Sequence, residues 1–122
     1  MSDSIVKEKS FQFALEIIEL YKYLTSNKKE FVLSKQVLRS GTSIGANIEE
    51  AHVSQSKKEF IAKLNISLKE ACETNYWLRL LKESGYIHKD DLINESRELS
   101  KILTSIIKTT KENLKRKKTF NP

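Results

Sequence analysis

Apolar residues recur every three or four positions along most of this chain, which is the spacing of one helix face. Val6, Phe13, Ala14, Ile17, Ile18, Tyr21 and Leu24 share such a face and predict a helix over 5–26. Asn27-Lys28-Lys29-Glu30 interrupts the pattern, and its Glu three places after Asn doubles as a capping signal for a second helix over 30–53. Ser54-Gln55-Ser56 closes that helix, and Ser56-Lys57-Lys58-Glu59 reads as a capping box opening a third over 57–84. Gly85 fits the left-handed position just past a helix end, with Tyr86 packing back. Asp90 and Asp91 favour the start of a fourth helix over 90–117, by capping and by their charge at the positive end of the helix dipole. Leu92, Ser96, Leu99, Leu103, Ile106, Thr110 and Asn113 alternate by four and three along it, as a bundle seam does. Residues 119–122 are expected to fray. Four long helices with short links predict an all-α fold, an antiparallel up-down-up-down four-helix bundle forming one domain over 1–122.

Residues 38–51, LRSGTSIGANIEEA, look too rich in glycine and hydroxyls for a helix interior, where each Gly costs roughly 1 kcal/mol relative to Ala. At 100° per residue they separate into two stripes. Leu33, Val37, Ile44, Ile48 and Ala51 form an apolar one, and Ser40, Ser43, Asn47, Glu50 and Ser54 a polar one beside it. Gly41, Gly45 and Ala46 leave room for another backbone to approach. Buried polar groups need partners, since an unpaired one costs about 1–3 kcal/mol. Helix three offers them in Glu70 and Glu73. Its main face carries Phe60, Ile61, Leu64, Leu68, Ala71, Cys72 and Leu78, and its other side Ile66, Trp77 and Leu80. A helix apolar on two sides is either sandwiched within its bundle or facing a second subunit. Ile66, Trp77 and Leu80 are therefore candidate subunit contacts, although for Trp77 a place within the bundle is the preferred reading.

The motif LRSGTSIGANIEEA followed by SQSKKEFIAKLNISLKEACETNYWLRLL resembles the small four-helix-bundle family named for open reading frames in intervening sequences of bacterial 23S ribosomal RNA genes. The likeness covers residues 33–86 and is most specific at Arg39-Ser40, Ser43-Ile44, Asn47-Ile48, Glu50, Glu59-Phe60, Leu64, Glu70, Glu73 and Trp77-Leu78. Gly45 and Ala51 are mild departures, since the family pattern often has Pro or Gly at the first and Gly at the second. The resemblance implies a ring-like homo-oligomer. Members are similar to the accessory protein of diversity-generating retroelements, a five-membered ring that binds nucleic acid beside a reverse transcriptase. A pentamer, an RNA or DNA ligand and a protein partner such as a reverse transcriptase are the expectations that follow.

Composition narrows the chemistry. Three glycines and one proline in 122 residues favour helices over a turn-rich sheet. Cys72 is alone, so no disulfide framework or cysteine metal cluster is available, and its expected role is that of a small buried residue. No apolar run reaches the roughly 20 residues of a membrane span, and the N-terminus lacks a secretory pattern, so a cytoplasmic protein without membrane attachment is expected. Glu50, Glu70 and Glu73 around Asn47 could be imagined as paired carboxylates for acid–base work. Neither a His nor an Asp joins them, and buried or interfacial hydrogen bonding that fixes helix register is the preferred reading. His52 and His88 lack metal-ligand spacing, and no phosphate loop or nucleophile elbow is present. No catalytic residue, cofactor or metal is expected.

The net charge of +6 is one-sided. Residues 1–100 balance, whereas 101–122 carry Lys101, Lys108, Lys111, Lys115, Arg116, Lys117 and Lys118 against Glu112 alone. Five of these lysines, at 101, 108, 111, 115 and 118, fall within a 100° arc opposite Leu99, Leu103 and Ile106. Such a stripe displaces counterions from a phosphate backbone, and with no aromatic platform beside it the contact is expected to be weakly sequence-specific. Arg39 is a further candidate. The competing reading is a solvated helix face with a basic end, in a structural or protein-interaction scaffold that ignores nucleic acid.

Overall fold

The computed structural model describes residues 2–119, with the side chains of 4–117. Four helices, α1 (Ser2–Ser26), α2 (Leu33–His52), α3 (Lys57–Glu83) and α4 (Asp91–Thr119), form an all-α four-helix bundle. Each helix packs on its neighbours in sequence, and α4 closes back on α1. The result is a square in which α1 faces α3, and α2 faces α4, across the diagonals. Paired residues run in opposite directions along each edge. Lys7 meets Glu49 and Ile17 meets Gly41 across α1–α2, and Ser40 meets Thr74 and Glu50 meets Lys63 across α2–α3. Asn75 meets Ser96 and Lys82 meets Asp90, just before α4, across α3–α4, and Lys9 meets Glu98 and Glu16 meets Glu95 across α1–α4. The helices are therefore antiparallel around the whole ring of edges.

The core is apolar where the periodicity places it. Val6, Phe13, Ile17 and Leu24 of α1 meet Val37, Ile44 and Ile48 of α2, Leu64, Leu78 and Leu81 of α3, and Leu99 and Leu103 of α4. Gly41 and Gly45 explain their own presence. A Cβ on Gly41 would stand 2.9 Å from two carbons of Ile17, and one on Gly45 would stand 3.3 Å from the Ser10 hydroxyl. The α1–α2 approach thus offsets the helix-propensity cost of both. Ala46, by contrast, is exposed, and no helix of the bundle packs close on it.

Three details depart from the sequence pattern. Helix α2 begins at Leu33, three residues later than predicted, because Glu30 caps it from outside. Lys29 takes a left-handed backbone (φ 55°), which turns the buried Glu30 side chain onto the helix end. There its carboxylate accepts from the N–H groups of Val32, Leu33 and Ser34 at 3.2, 3.0 and 2.7 Å. Burial opposes ionisation of Glu30, but these hydrogen bonds outweigh it and hold the carboxyl below the usual carboxylate range. Cys72 is exposed rather than buried, because the core side of α3 runs through Leu64, Ser67, Ala71, Thr74 and Leu78 and the next position turns outward. In α4, Asn113 is exposed and Leu114 takes the inward place.

The other ends follow their local signals. Ser56 accepts from the Glu59 N–H at 3.1 Å, while the Glu59 carboxylate accepts from Gln55. Gly85 has φ 86°, and the Tyr86 N–H returns to the Leu81 carbonyl at 2.9 Å. Helix α4 continues two residues past the predicted 117. Beyond Leu114 its described side chains, 115–117, are exposed. Phe120, Asn121 and Pro122 of the expected frayed tail lie outside the described residues.

Candidate nucleic-acid interface

The lysines of α4 stand on its outer side because Leu99, Leu103, Ile106 and Ile107 commit the opposite side to the core. Lys101, Lys108, Lys111, Lys115, Arg116 and Lys117 are all exposed. The Lys118 side chain lies outside the described residues. Lys101, Lys108, Lys111 and Lys117 form no ion pair among the described residues, so their charge is not spent within the molecule. Beside the stripe runs a groove of about 340 Å3 between α3 and α4, with Leu68 and Ile107 as its apolar part and Asn65, Thr104, Lys108, Lys111 and Glu112 around it. The sequence showed the lysines but not the groove, which depends on where α3 and α4 diverge. The same side chains could have come from any two helices.

Arg39 does not join this surface. It lies on α2, across the diagonal from α4, and its guanidinium reaches Glu70 at 3.3 Å and also bonds Glu73. The Glu73 hydrogen bond raises the guanidinium's affinity for its proton, against a smaller opposing effect of burial. Glu73 in turn accepts from the Trp77 indole N–H at 3.1 Å, and that bond, with the Arg39 contacts, holds its carboxyl below the usual range despite burial. Trp77 has one side on the core and one side open, with Tyr76 edge-on at 5.1 Å. Ile66 and Leu80 are exposed on the same side of α3.

The polar stripe of α2 runs from the buried Ser40, through the half-buried Ser43 and Asn47, to the exposed Glu50. The Ser40 and Thr74 hydroxyls pair at 2.9 Å in full burial, and Ser67 donates to the Ile44 carbonyl at 2.8 Å. Asn47 donates to the Ser43 carbonyl and Ser43 to the Arg39 carbonyl, at 2.9 and 2.6 Å. Glu50 takes Lys63 at 2.7 Å on the surface. The carboxylates Glu70 and Glu73 both meet the Arg39 guanidinium, whereas Glu50 stands apart with Lys63. Ser67, Thr74 and Lys63 were missed as partners, since hydroxyls on a helix give no signal of direction until the facing helix is known.

The α1–α4 edge has the opposite electrical character. Glu16 and Glu95 stand side by side there, with Asp91 and Glu98 nearby. Burial first, then Glu16, then the charges of Asp91 and Glu98, push the Glu95 carboxyl up to about 7.

A family model described as 23S rRNA-intervening sequence protein matches residues 2–107. The match stops one residue short of Lys108, where the dense part of the basic stripe begins. A solved structure similar to the chain is that of a protein of unknown function from the S23 ribosomal protein family of Bacteroides thetaiotaomicron. It is 57% identical, with a TM-score of 0.87, over 88% of this chain and 99% of the other. A search of curated proteins found no match.

Proposed function

The chain belongs to the 23S rRNA-intervening sequence protein family, and on that footing we propose that it is a self-assembling accessory protein that binds RNA or DNA nonspecifically through α4. The carrying observation is the row Lys101, Lys108 and Lys111, exposed, aligned and unpaired among the described residues, continuing into Lys115, Arg116 and Lys117. Phosphates are the ligand such a row fits, because ammonium groups without aromatic platforms read charge and not base identity. The family supports the bundle. The lysines, mostly beyond the matched residues, support the binding. In this reading the protein works in the cytoplasm, as an assembled ring, a pentamer by likeness to the retroelement accessory proteins, alongside a partner such as a reverse transcriptase. No described helix is long and apolar enough to cross a membrane.

Fluorescence anisotropy of a structured RNA against salt tests the binding. Affinity should fall steeply with salt, and replacing Lys101, Lys108 and Lys111 by Ala should flatten the slope by about 0.7–0.9 for each phosphate that a lysine no longer neutralises. Absence of binding at low salt, or a slope indifferent to those changes, removes the reading.

The scaffold reading has its own support. Phe11 and Leu15 on α1 and Ile66, Tyr76 and Leu80 on α3 are exposed apolar side chains on opposite corners of the square. Two unlike patches meeting copy to copy make a head-to-tail contact, which closes into a ring when the rotation allows. Light scattering decides on assembly: a monomer at micromolar concentration, unchanged by Leu80→Lys, counts against both readings.

A further inference from the structure

At the end of the bundle opposite the lysines, α1, the 84–90 connection and the first turn of α4 line an open pocket of about 570 Å3. Leu20, Tyr23, Tyr86, Ile87 and Leu92 give it apolar and aromatic walls, and Glu16 and Asp91 stand among them. Nearby carboxylates are neutralised: Glu19 by Lys22 at 3.4 Å, Glu98 by Lys9 at 2.8 Å, and Asp90 by Lys82. Glu16 and Asp91 form no ion pair among the described residues, and Glu95 feels Lys9 only as a neighbouring charge. Burial first, and then the neighbouring carboxylates Glu16, Asp91 and Glu98, raise the carboxyl of Glu95, one turn beyond Asp91. The Tyr23 ring also meets a cation from outside, with the Lys28 ammonium 6.0 Å from its centre.

We propose that this pocket binds a small organic cation, a protonated amine on an apolar body, with its ammonium at Glu16 and Asp91 and its body against Tyr23, Tyr86 and Ile87. The volume lies within the roughly 300–1,000 Å3 of small-molecule sites, and mostly apolar walls with a few convergent charges are their usual make-up. Aromatic faces add to the attraction for an ammonium where water is partly excluded. Lys89, the one lysine or arginine among the described residues that line the pocket, opposes the charge of such a ligand. Its removal therefore has a predictable effect. This site is independent of the nucleic-acid reading, since it sits at the other end of α4.

Phenethylammonium and its neutral isostere 2-phenylethanol are suitable probes, followed by NMR shifts and calorimetry on the full chain at fixed ionic strength. The cation should shift Leu20, Tyr86 and Ile87 with a millimolar or tighter Kd, and the alcohol should bind at least about tenfold more weakly. Asp91→Asn and Glu16→Gln should each weaken the cation roughly fivefold, and Lys89→Ala should tighten it about twofold, all with unchanged circular dichroism. Equal binding of the alcohol overturns the proposal. So does an absence of shifts at about 10 mM, where a millimolar site is nearly filled, or shifts confined to other residues. Lys89→Ala guards against misreading a folding defect, because it predicts a gain.

Discussion

At the scale of single residues, Glu30 shows how one side chain sets a helix boundary. Three N–H groups at the start of α2 converge on its carboxylate, so the ionised form is the one the fold holds. A carboxyl lowered below its ordinary value stabilises the fold above that value and loses the contribution as pH falls through the folded-state pKa. Glu30→Ala should cost about 1–2 kcal/mol at pH 7, and the gap to the parent should narrow below roughly pH 4. Urea melts at the two pH values measure this; an equal gap at both would show that the charge plays no part. The capping role was half legible. Asn27-Lys28-Lys29-Glu30 announced a helix start, but not that the chain would turn left-handed at Lys29 and cap from Glu30 three residues before Leu33.

At the scale of elements, the α2–α3 edge is fixed by hydroxyls and the α1–α4 edge is loosened by carboxylates. Thr74→Val strands the buried Ser40 hydroxyl and should cost roughly 1–3 kcal/mol, whereas adding Ser40→Ala to it should cost little more. A double-mutant cycle by thermal melting tests that; strict additivity would mean that the two hydroxyls do not act together. Across α1–α4 the direction with pH reverses. Glu95 is raised, so the neutral form suits the fold, and stability is fully present below the ordinary carboxylate value and lost as pH rises through about 7. Glu95→Gln should abolish that loss and exceed the parent by of order 1 kcal/mol at pH 8.5. Chemical denaturation between pH 5 and 8.5 reads both limbs; a parent curve flat over that range contradicts the assignment. The helices themselves were readable, because three-and-four spacing survives any arrangement of neighbours. Which polar faces meet was not, because Glu16 and Glu95 carry no mark of each other in the sequence. Cys72 failed for a related reason: α3 is apolar on two sides, and the pattern alone does not say which side turns inward.

At the scale of the whole molecule, the square arrangement keeps separate what the linear sequence mixes. Arg39 and the α4 lysines look like one basic set in the sequence, yet they sit on diagonal helices, and Arg39 is engaged by Glu70 and Glu73. The charge asymmetry was fully legible, being a count along the chain. The α3–α4 groove beside Lys108 and Lys111 and the pocket under the 84–90 connection were not, since both are spaces between elements. The far end of α4 bears on handling the protein. After Leu114 no described side chain of the helix packs on the core, and 115–117 is Lys-Arg-Lys. A helical turn whose side chains do not pack on the core opens far more readily than one locked by packing. Trypsin should therefore nick first after Lys115, Arg116 or Lys117 and leave the four packed helices as a resistant fragment, as mass spectrometry of a brief digest would record. Early cuts after Lys63 or Lys101 instead would mean that the bundle itself opens first. The protease then becomes a way to peel the densest charge from an intact scaffold without altering a core residue.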